Sequence, residues 1–220
     1  MLKLLPERAV ILKRTAVIAD LHLGIENAMQ KSGIAVPRMQ IMDIISRTRA
    51  LVENYEVEKL IIAGDLKHEF GENLPYEWDD VRSFLNSLEI DVSIVRGNHD
   101  NFLSAILADY SIELKEKERV EDYTIVHGHN ECEEEKIILG HEHPAIKVRV
   151  RGASYSFPCF LVLDKTKIVL PAFSKLVGGS DVLQGEFLSP IVRKAKKIEV
   201  YAIEDEVLYL GELGVLRNIL

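Results

Sequence analysis

Histidine is concentrated in five short segments of this 220-residue chain. All seven histidines lie in Asp20-Leu21-His22, Gly64-Asp65-Leu66-Lys67-His68, Gly97-Asn98-His99-Asp100, His127-Gly128-His129 and Gly140-His141-Glu142-His143. A lone histidine beside a strand is more often a packed or surface residue, but this concentration favours a functional site. Carboxylates, imidazoles and one carboxamide, with no cysteine among them, suit Mn²⁺, Fe²⁺ or Zn²⁺ better than a structural zinc site. The segments therefore predict a metal centre.

The number and spacing of these side chains indicate a pair of cations. One residue separates Asp20 from His22 and His141 from His143, so on an extended backbone both members of each pair would point to the same face. The set is larger than one tetrahedral ion needs, and two metals about 3.5–4 Å apart are a common arrangement for displacement at phosphorus. Such a pair would convert a bridging water into hydroxide and neutralise the phosphate oxygens.

Apolar runs precede all five segments and predict the strands that position them. These runs cover residues 16–19, 60–63, 93–96, 124–126 and 136–139. The carboxyl ends of strands in open α/β sheets form the crevice where ligands bind, so residues distant in sequence would meet there. Gly64, Gly97 and Gly140 permit tight turns at these ends and leave room where backbone and ligands approach closely.

The order of elements predicts the fold class, α/β. Strands at 16–19, 60–63 and 92–95 alternate with a helix opened by Pro37 and a helix over residues 76–88. The first helix has an apolar stripe that would cover the sheet: Ile41, Ile44, Ile45, Thr48, Leu51 and Val52. Further strands are predicted at 123–126, 136–139, 145–150, 157–163, 167–170, 198–203 and 207–210. We expect one domain over residues 1–220, a four-layer αββα sandwich of two mixed β-sheets flanked by helices.

Composition excludes several classes of protein. Hydrophobic residues make up 47% of the chain and charged residues 28%, which is ordinary globular usage. No apolar run approaches the roughly 20 residues that a bilayer requires, so we expect a cytoplasmic protein without a membrane segment, and Cys132 and Cys159 as free thiols. The net charge of −8 argues against nonspecific coating of DNA. Two bound cations would nevertheless add local positive charge, so the site could still attract phosphate.

The five segments, in this order, resemble the calcineurin-like metallophosphoesterase family, whose pattern is D-x-H, G-D, G-N-H-D/E, H and G-H-x-H. The resemblance implies two divalent metal ions, with Mn²⁺ preferred and Fe²⁺, Zn²⁺ or Ni²⁺ as alternatives. One metal would be held by Asp20, His22, Asp65 and His143. The other would be held by Asp65, Asn98, His127 and His141, with Asp65 as the bridge.

The same resemblance implies catalytic roles for three further residues. His99 would protonate the leaving oxygen or steady the transition state, and Asp100 would orient the His99 imidazole by a hydrogen bond. His68 looks like the additional histidine of the SbcD-like double-strand-break-repair nucleases. The stretch Leu170-Pro171-Ala172-Phe173 with Gly178-Gly179 resembles a compact subfamily, some of whose bacterial members are associated with a DNA ligase. A DNA-repair protein is therefore an expected partner.

Three functions stay open at this point. The resemblance favours a phosphodiesterase acting on nucleic-acid ends or a nucleotide-like diester, with a phosphomonoesterase as the alternative. A non-catalytic binding scaffold of the same fold, like the retromer subunit, is disfavoured because every expected position is filled. His129 could serve the substrate or be a plain surface residue, and Lys67 and Arg96 could contact phosphate or be solvated. The oligomeric state is open.

Overall fold

The apolar runs of the first half form one mixed sheet. In the computed structural model, which describes residues 2–71 and 75–219, six strands build this sheet. In spatial order they are β1 (Leu2–Leu5), β2 (Ala9–Leu12), β3 (Thr15–Ile18), β4 (Lys59–Ala63), β5 (Asp91–Val95) and β6 (Leu114–Lys115). Strands β1 to β3 pair antiparallel, whereas β3 to β6 pair parallel. The parallel strands β3, β4 and β5 therefore end at the same edge.

The second half of the described chain forms a nine-stranded sheet. Its strands are β7 (Glu118–Val120), β8 (Tyr123–Val126), β9 (Ile137–Leu139), β10 (Pro144–Val150), β11 (Ala153–Leu163), β12 (Lys167–Val169), β13 (Ser180–Asp181), β14 (Ile198–Ile203) and β15 (Val207–Glu212). Strands β8, β9 and β12 pair parallel, and β10 pairs parallel with β13. The strands predicted at 123–126 and 198–203 coincide with β8 and β14.

Helices cover the outer faces of both sheets. They are α1 (Ile25–Lys31), α2 (Gln40–Asn54), α3 (Pro75–Asn86), α4 (Leu103–Leu107), a 3₁₀ turn (Ala108–Tyr110), α5 (Pro190–Arg193) and α6 (Leu213–Ile219). The predicted stripe of α2 is confirmed, with Ile44, Thr48 and Leu51 fully buried. None of the described helices is long and apolar enough to cross a membrane.

The prediction that Pro37 opens the α2 helix is wrong, because the helix begins at Gln40. Glu26 from α1 explains the difference. Its Oε1 accepts the backbone N–H groups of Met39 at 2.6 Å and Gln40 at 2.7 Å. The carboxylate thus satisfies amides at the helix N-terminus, where negative charge is favourable.

Alternation along the strands creates the layers. Ile18 and Ile62 belong to an apolar cluster that includes Ile44 and Phe84 of the helices. Their neighbours Val17 and Ile61 lie instead in a cluster with Ile125, Ile138 and Phe160 of the second sheet. The far side of that sheet packs its own cluster, which includes Ile191 of α5 and Leu216 of α6. The predicted four-layer αββα sandwich is confirmed.

Cys132 and Cys159 are free thiols, as predicted.

Candidate metal centre

The strand ends of both sheets meet at one edge. Asp20, Asp65 and Asn98 follow β3, β4 and β5, and His127 and His141 follow β8 and β9. Within each sheet a backbone hydrogen bond joins the loops, from the Asp20 N–H to the Gly64 carbonyl at 3.1 Å and from the Gly140 N–H to the His127 carbonyl at 3.0 Å. Between the sheets, the backbone N–H of His141 donates to Asp20 Oδ2 at 3.0 Å. The two sheets therefore contribute side chains to a single site.

The first group of ligand-type side chains comprises Asp20, His22, Asp65 and His143. One potential ligand atom from each lies within 4.8 Å of the others. The Nε2 atom of His143 is 3.3 Å from Asp20 Oδ1, and the Nε2 atom of His22 is 3.4 Å from that of His143 and 3.7 Å from Asp65 Oδ2. Asp20, His22 and Asp65 are buried.

The second group shares Asp65 with the first. Asp65, His127 and His141 also offer ligand atoms within 4.8 Å of one another. The Nε2 atom of His127 is 3.3 Å from Asp65 Oδ2, 3.2 Å from His141 Nδ1 and 3.1 Å from Asn98 Oδ1. The structure thus brings together all seven residues that the sequence singled out as metal ligands.

The chemistry of the donor set fits divalent cations. His127 Nδ1 donates a hydrogen bond to the Ala63 carbonyl at 3.0 Å, which leaves Nε2 to face Asp65. A ligating histidine typically uses its second ring nitrogen in this way. A ring nitrogen of His127 faces a ring nitrogen of His141, and the same is true of His22 and His143. Two lone pairs converging from neighbouring imidazoles can be satisfied by one cation between them.

Burial and charge set the protonation states of these groups. Burial lowers the pKa of His22 to about 3 and that of His141 to about 4, so both rings are neutral and keep a lone pair for a metal. Burial by itself would raise the pKa of Asp65, but His127 outweighs it and holds that pKa well below its usual range. The carboxylates of Asp65 and Asp20 in turn overcome burial and raise the pKa of His127 to about 9. A metal bound there would displace a proton.

The backbone at the ligands differs from the extended conformation that the sequence suggested. Asp20, His22, Asp65, His141 and His143 all have φ between 47° and 68°, in the left-handed region. Such conformations are uncommon for residues other than glycine, and they cluster at functional sites where the surrounding structure imposes them. Sharp turns past the strand ends, not strand alternation, therefore direct both members of each D-x-H or H-x-H pair into the site.

The close approach expected at the glycines is confirmed. A Cβ atom on Gly97 would overlap the carboxylate of Asp65, and one on Gly140 would lie 2.6 Å from Asp20 Oδ2. Gly64 has a φ of +88°, and a Cβ there would overlap the ring of His127. Each of these glycines precedes one candidate ligand and packs against another.

Comparison with known proteins agrees with this geometry. A family model described as calcineurin-like phosphoesterase matches residues 13–173, which is more than half of the chain. The chain belongs to the calcineurin-like phosphoesterase family. The family resemblance recognised in the sequence is therefore confirmed, and this family uses divalent metals. No curated protein sequence matches the chain.

Three solved structures match the chain to different degrees. The nuclease MPE of Pseudomonas putida is 24% identical, with a TM-score of 0.71 over 95% of this chain and 94% of that one. YfcE, a phosphoesterase from E. coli, is 16% identical, with a TM-score of 0.45 over 90% and 97% of the two chains. Vps29 from Entamoeba histolytica, complexed with zinc, is 14% identical, with a TM-score of 0.35 over 90% and 98%. At 24% identity, the similarity to the nuclease MPE supports the fold alone. The TM-scores of the other two matches are below 0.5, so they support no conclusion.

In this calcineurin-like phosphoesterase, Asp100 has a different role from the one that the resemblance implied. Its two carboxylate oxygens accept backbone N–H groups from Gly97 at 2.8 Å, Asp65 at 2.9 Å, Leu66 at 2.9 Å and Lys67 at 3.3 Å. Asp100 therefore holds the Asp65 loop rather than the His99 ring. Burial, followed by the charge of Asp65, raises the pKa of the Asp100 carboxyl to about 6.

His99 is oriented by a backbone carbonyl instead. Its Nδ1 atom lies 2.5 Å from the carbonyl oxygen of His68, and the backbone N–H of His99 donates to Asp65 Oδ1 at 2.9 Å. The rings of His68 and His99 are stacked, with centroids 5.7 Å apart. His22, His68 and His99 also form a third group of ligand atoms within 4.8 Å of one another. Sequence reasoning missed this third group and the carbonyl contact.

The remaining polar candidates lie around the rim or inside the protein. His129 accompanies His127 and His141 with ring centroids 5.2 Å and 6.1 Å away, and it contacts the side chain of Asn130. Lys67 is fully buried, where its Nζ donates to the Glu69 carbonyl and lies 4.0 Å from Glu77 Oε2. A contact between Lys67 and a substrate phosphate is therefore ruled out by its burial.

Proposed function

We propose that this phosphoesterase is a metal-dependent phosphodiesterase that acts on nucleic-acid ends or nucleotide-like diesters. The observation that carries the proposal is the shared position of Asp65. Its Oδ2 atom lies 3.7 Å from His22 Nε2 in one ligand group and 3.3 Å from His127 Nε2 in the other. A carboxylate common to two ligand groups is what a pair of neighbouring cations requires.

Each cation would have its own set of protein ligands. Asp20, His22 and His143 would hold one with Asp65, and Asn98, His127 and His141 would hold the other with Asp65. When bound, such a pair supplies charge to neutralise phosphate oxygens and lowers the pKa of water. The mixed oxygen and nitrogen donors suit Mn²⁺ and also accept Fe²⁺, Zn²⁺ or Ni²⁺.

His99 is the group that would deliver a proton to the leaving oxygen. Its Nδ1 atom is engaged by the His68 carbonyl, so Nε2 is the free ring atom. The backbone N–H of His99 donates to Asp65 Oδ1 and so fixes this residue beside the shared carboxylate. A proton held on Nε2 can therefore reach an oxygen that departs from a phosphorus near Asp65.

The positively charged side chains near the site, Lys67 and Arg96, favour a diester over a monoester. A phosphomonoester approaches two negative charges near neutral pH, whereas a diester carries one. Lys67 is buried against Glu69 and Glu77, and Arg96 Nε lies 3.1 Å from Glu116 Oε1. Lys67 is buried and cannot reach a substrate, and Arg96 is already paired with Glu116, so the singly charged diester is the better match.

Hydrolysis assays test this proposal. We expect Mn²⁺-dependent hydrolysis of bis-p-nitrophenyl phosphate that is faster than hydrolysis of p-nitrophenyl phosphate, and that is lost in Asp65→Asn. Asp91→Asn is the matched control, because Asp91 is exposed and begins β5 at the end of the strand opposite the site. Faster monoester turnover would favour a phosphomonoesterase. Failure to hydrolyse either ester with several divalent metals would defeat the proposal and favour the scaffold.

A further inference from the structure

Two exposed phenylalanines lie in the loops that carry the candidate catalytic histidines. Of the seven phenylalanines, Phe84, Phe160 and Phe173 are fully buried, and two others are partly buried. Phe70 and Phe102 are exposed, with 55% and 58% of their surface open to solvent. Phe70 follows His68 by two residues, and Phe102 follows His99 by three. Both exposed rings thus belong to the loops that carry the candidate catalytic histidines.

Phe70 is in contact with His99. The two ring centroids are 5.8 Å apart, and the ring planes are nearly perpendicular at 87°. The side-chain amide of Asn101 donates a hydrogen bond to the Phe70 carbonyl at 3.1 Å and so ties the two loops together. Phe70 is therefore positioned by the site, while about half of its surface stays open.

Phe102 is held in an unfavourable backbone conformation. Its φ is 64°, which is left-handed and rare for a bulky residue. It immediately precedes α4, whose Leu103 and Ile106 are fully buried and anchor the helix. Strain of this kind persists only where the surroundings impose it, and it clusters at ligand-binding positions.

We propose that Phe70 and Phe102 form a stacking surface for a nucleobase attached to the scissile phosphate. The proposal rests on the proposed function, because His99 would face the leaving oxygen and Phe70 touches His99. A group next to that oxygen in a nucleic acid is a nucleoside. A chain with a net charge of −8 has little general attraction for a phosphate backbone, so outside the metal centre base stacking is the contact that would hold such a substrate.

The first test compares two single-stranded oligonucleotides that differ only at the nucleotides flanking one cleavable phosphodiester. One carries bases there and the other carries abasic residues. We expect kcat/KM with Mn²⁺ to be roughly 5- to 100-fold higher for the base-bearing substrate, which is the range for loss of one stacked base. The ratio should fall towards one in Phe70→Ala and Phe102→Ala, and Phe70→Trp should preserve it.

Tyr209→Ala provides the control for a lost exposed aromatic ring. Tyr209 is 57% exposed and lies on β15, in a strand that contributes no candidate ligand. Its variant should retain the full wild-type ratio. A wild-type ratio near one, or a ratio unchanged in both phenylalanine variants, would overturn the proposal and would indicate that the aromatic surface binds something else, such as a protein.

A binding measurement separates this proposal from the proposed function. In the full-length Phe70→Trp variant with Mn²⁺ present, dAMP should quench the new tryptophan fluorescence, and 2-deoxyribose 5-phosphate should not. The signal of the native Trp78 is subtracted by titrating the wild-type protein. If neither oligonucleotide is cleaved, the proposed function fails, and this titration still decides the stacking surface. Equal quenching by both ligands, or none by either, would overturn it.

Discussion

The Nδ1 atom of His99 lies 2.5 Å from the carbonyl oxygen of His68. This contact joins the loop after β4 to the loop after β5 and leaves only Nε2 of His99 free. Because the acceptor belongs to the backbone, it survives a change of the His68 side chain. The two histidines should therefore respond differently to substitution.

Replacement of His99 by alanine should slow hydrolysis most for substrates with poor leaving groups. Loss of a general acid typically costs about 10²- to 10⁴-fold in kcat. We expect that loss with a nucleoside diester and a smaller one with bis-p-nitrophenyl phosphate, whose leaving group needs little protonation. His68→Ala should cost less than His99→Ala on the nucleoside diester, as measured by kcat for both substrates. Equal losses for the two leaving groups would argue against proton donation by His99.

Asp100→Asn should mainly destabilise the fold. An asparagine has one acceptor oxygen, so it leaves some of the four backbone N–H groups around Asp100 without a partner. We expect the free energy of unfolding to fall by about 2–4 kcal/mol, measured by urea denaturation. Unchanged stability together with a large fall in kcat would instead support the orienting role for the His99 ring.

Gly97→Ala should displace the Asp65 loop and impair the metal centre, because the added Cβ would overlap the Asp65 backbone nitrogen. The added Cβ would overlap the Asp65 carboxylate, and misplacement of a reacting group by about 1 Å can cost about 10²-fold in rate. Gly178→Ala is the matched control, because a Cβ at Gly178 meets no atom within 4 Å. Comparing kcat/KM with Mn²⁺ tests this expectation. Wild-type activity in Gly97→Ala would show that the position of Asp65 is not critical.

Much of the architecture was predictable because the relevant signals are local. Apolar runs predicted β3, β4, β5, β8 and β9, and the types of side chain that follow them predicted which residues meet. The α1 helix and the first two strands were not predicted. The start of α2 was predicted at Pro37, but the helix begins at Gln40. Its first backbone N–H donates to the carboxylate of Glu26, and the spacing of residues around Pro37 does not reveal this contact.

The finer geometry of the site was not predictable from spacing. The left-handed backbone at Asp20 and His22 depends on how the loops turn past the strand ends, which residue spacing does not reveal. The roles of Asp100 and the His68 carbonyl depend on contacts between loops that are separated in sequence by about 30 residues. Such contacts exist only once both strands have paired.

The most direct test of the account is the metal content of the full-length protein, purified without chelator and loaded with Mn²⁺. Elemental analysis should find about two ions per chain in the wild type and in Asp91→Asn. It should find fewer than one in Asp65→Asn, because that residue belongs to both ligand groups. One ion or none in the wild type, or two ions retained in Asp65→Asn, would contradict a pair of cations bridged by Asp65.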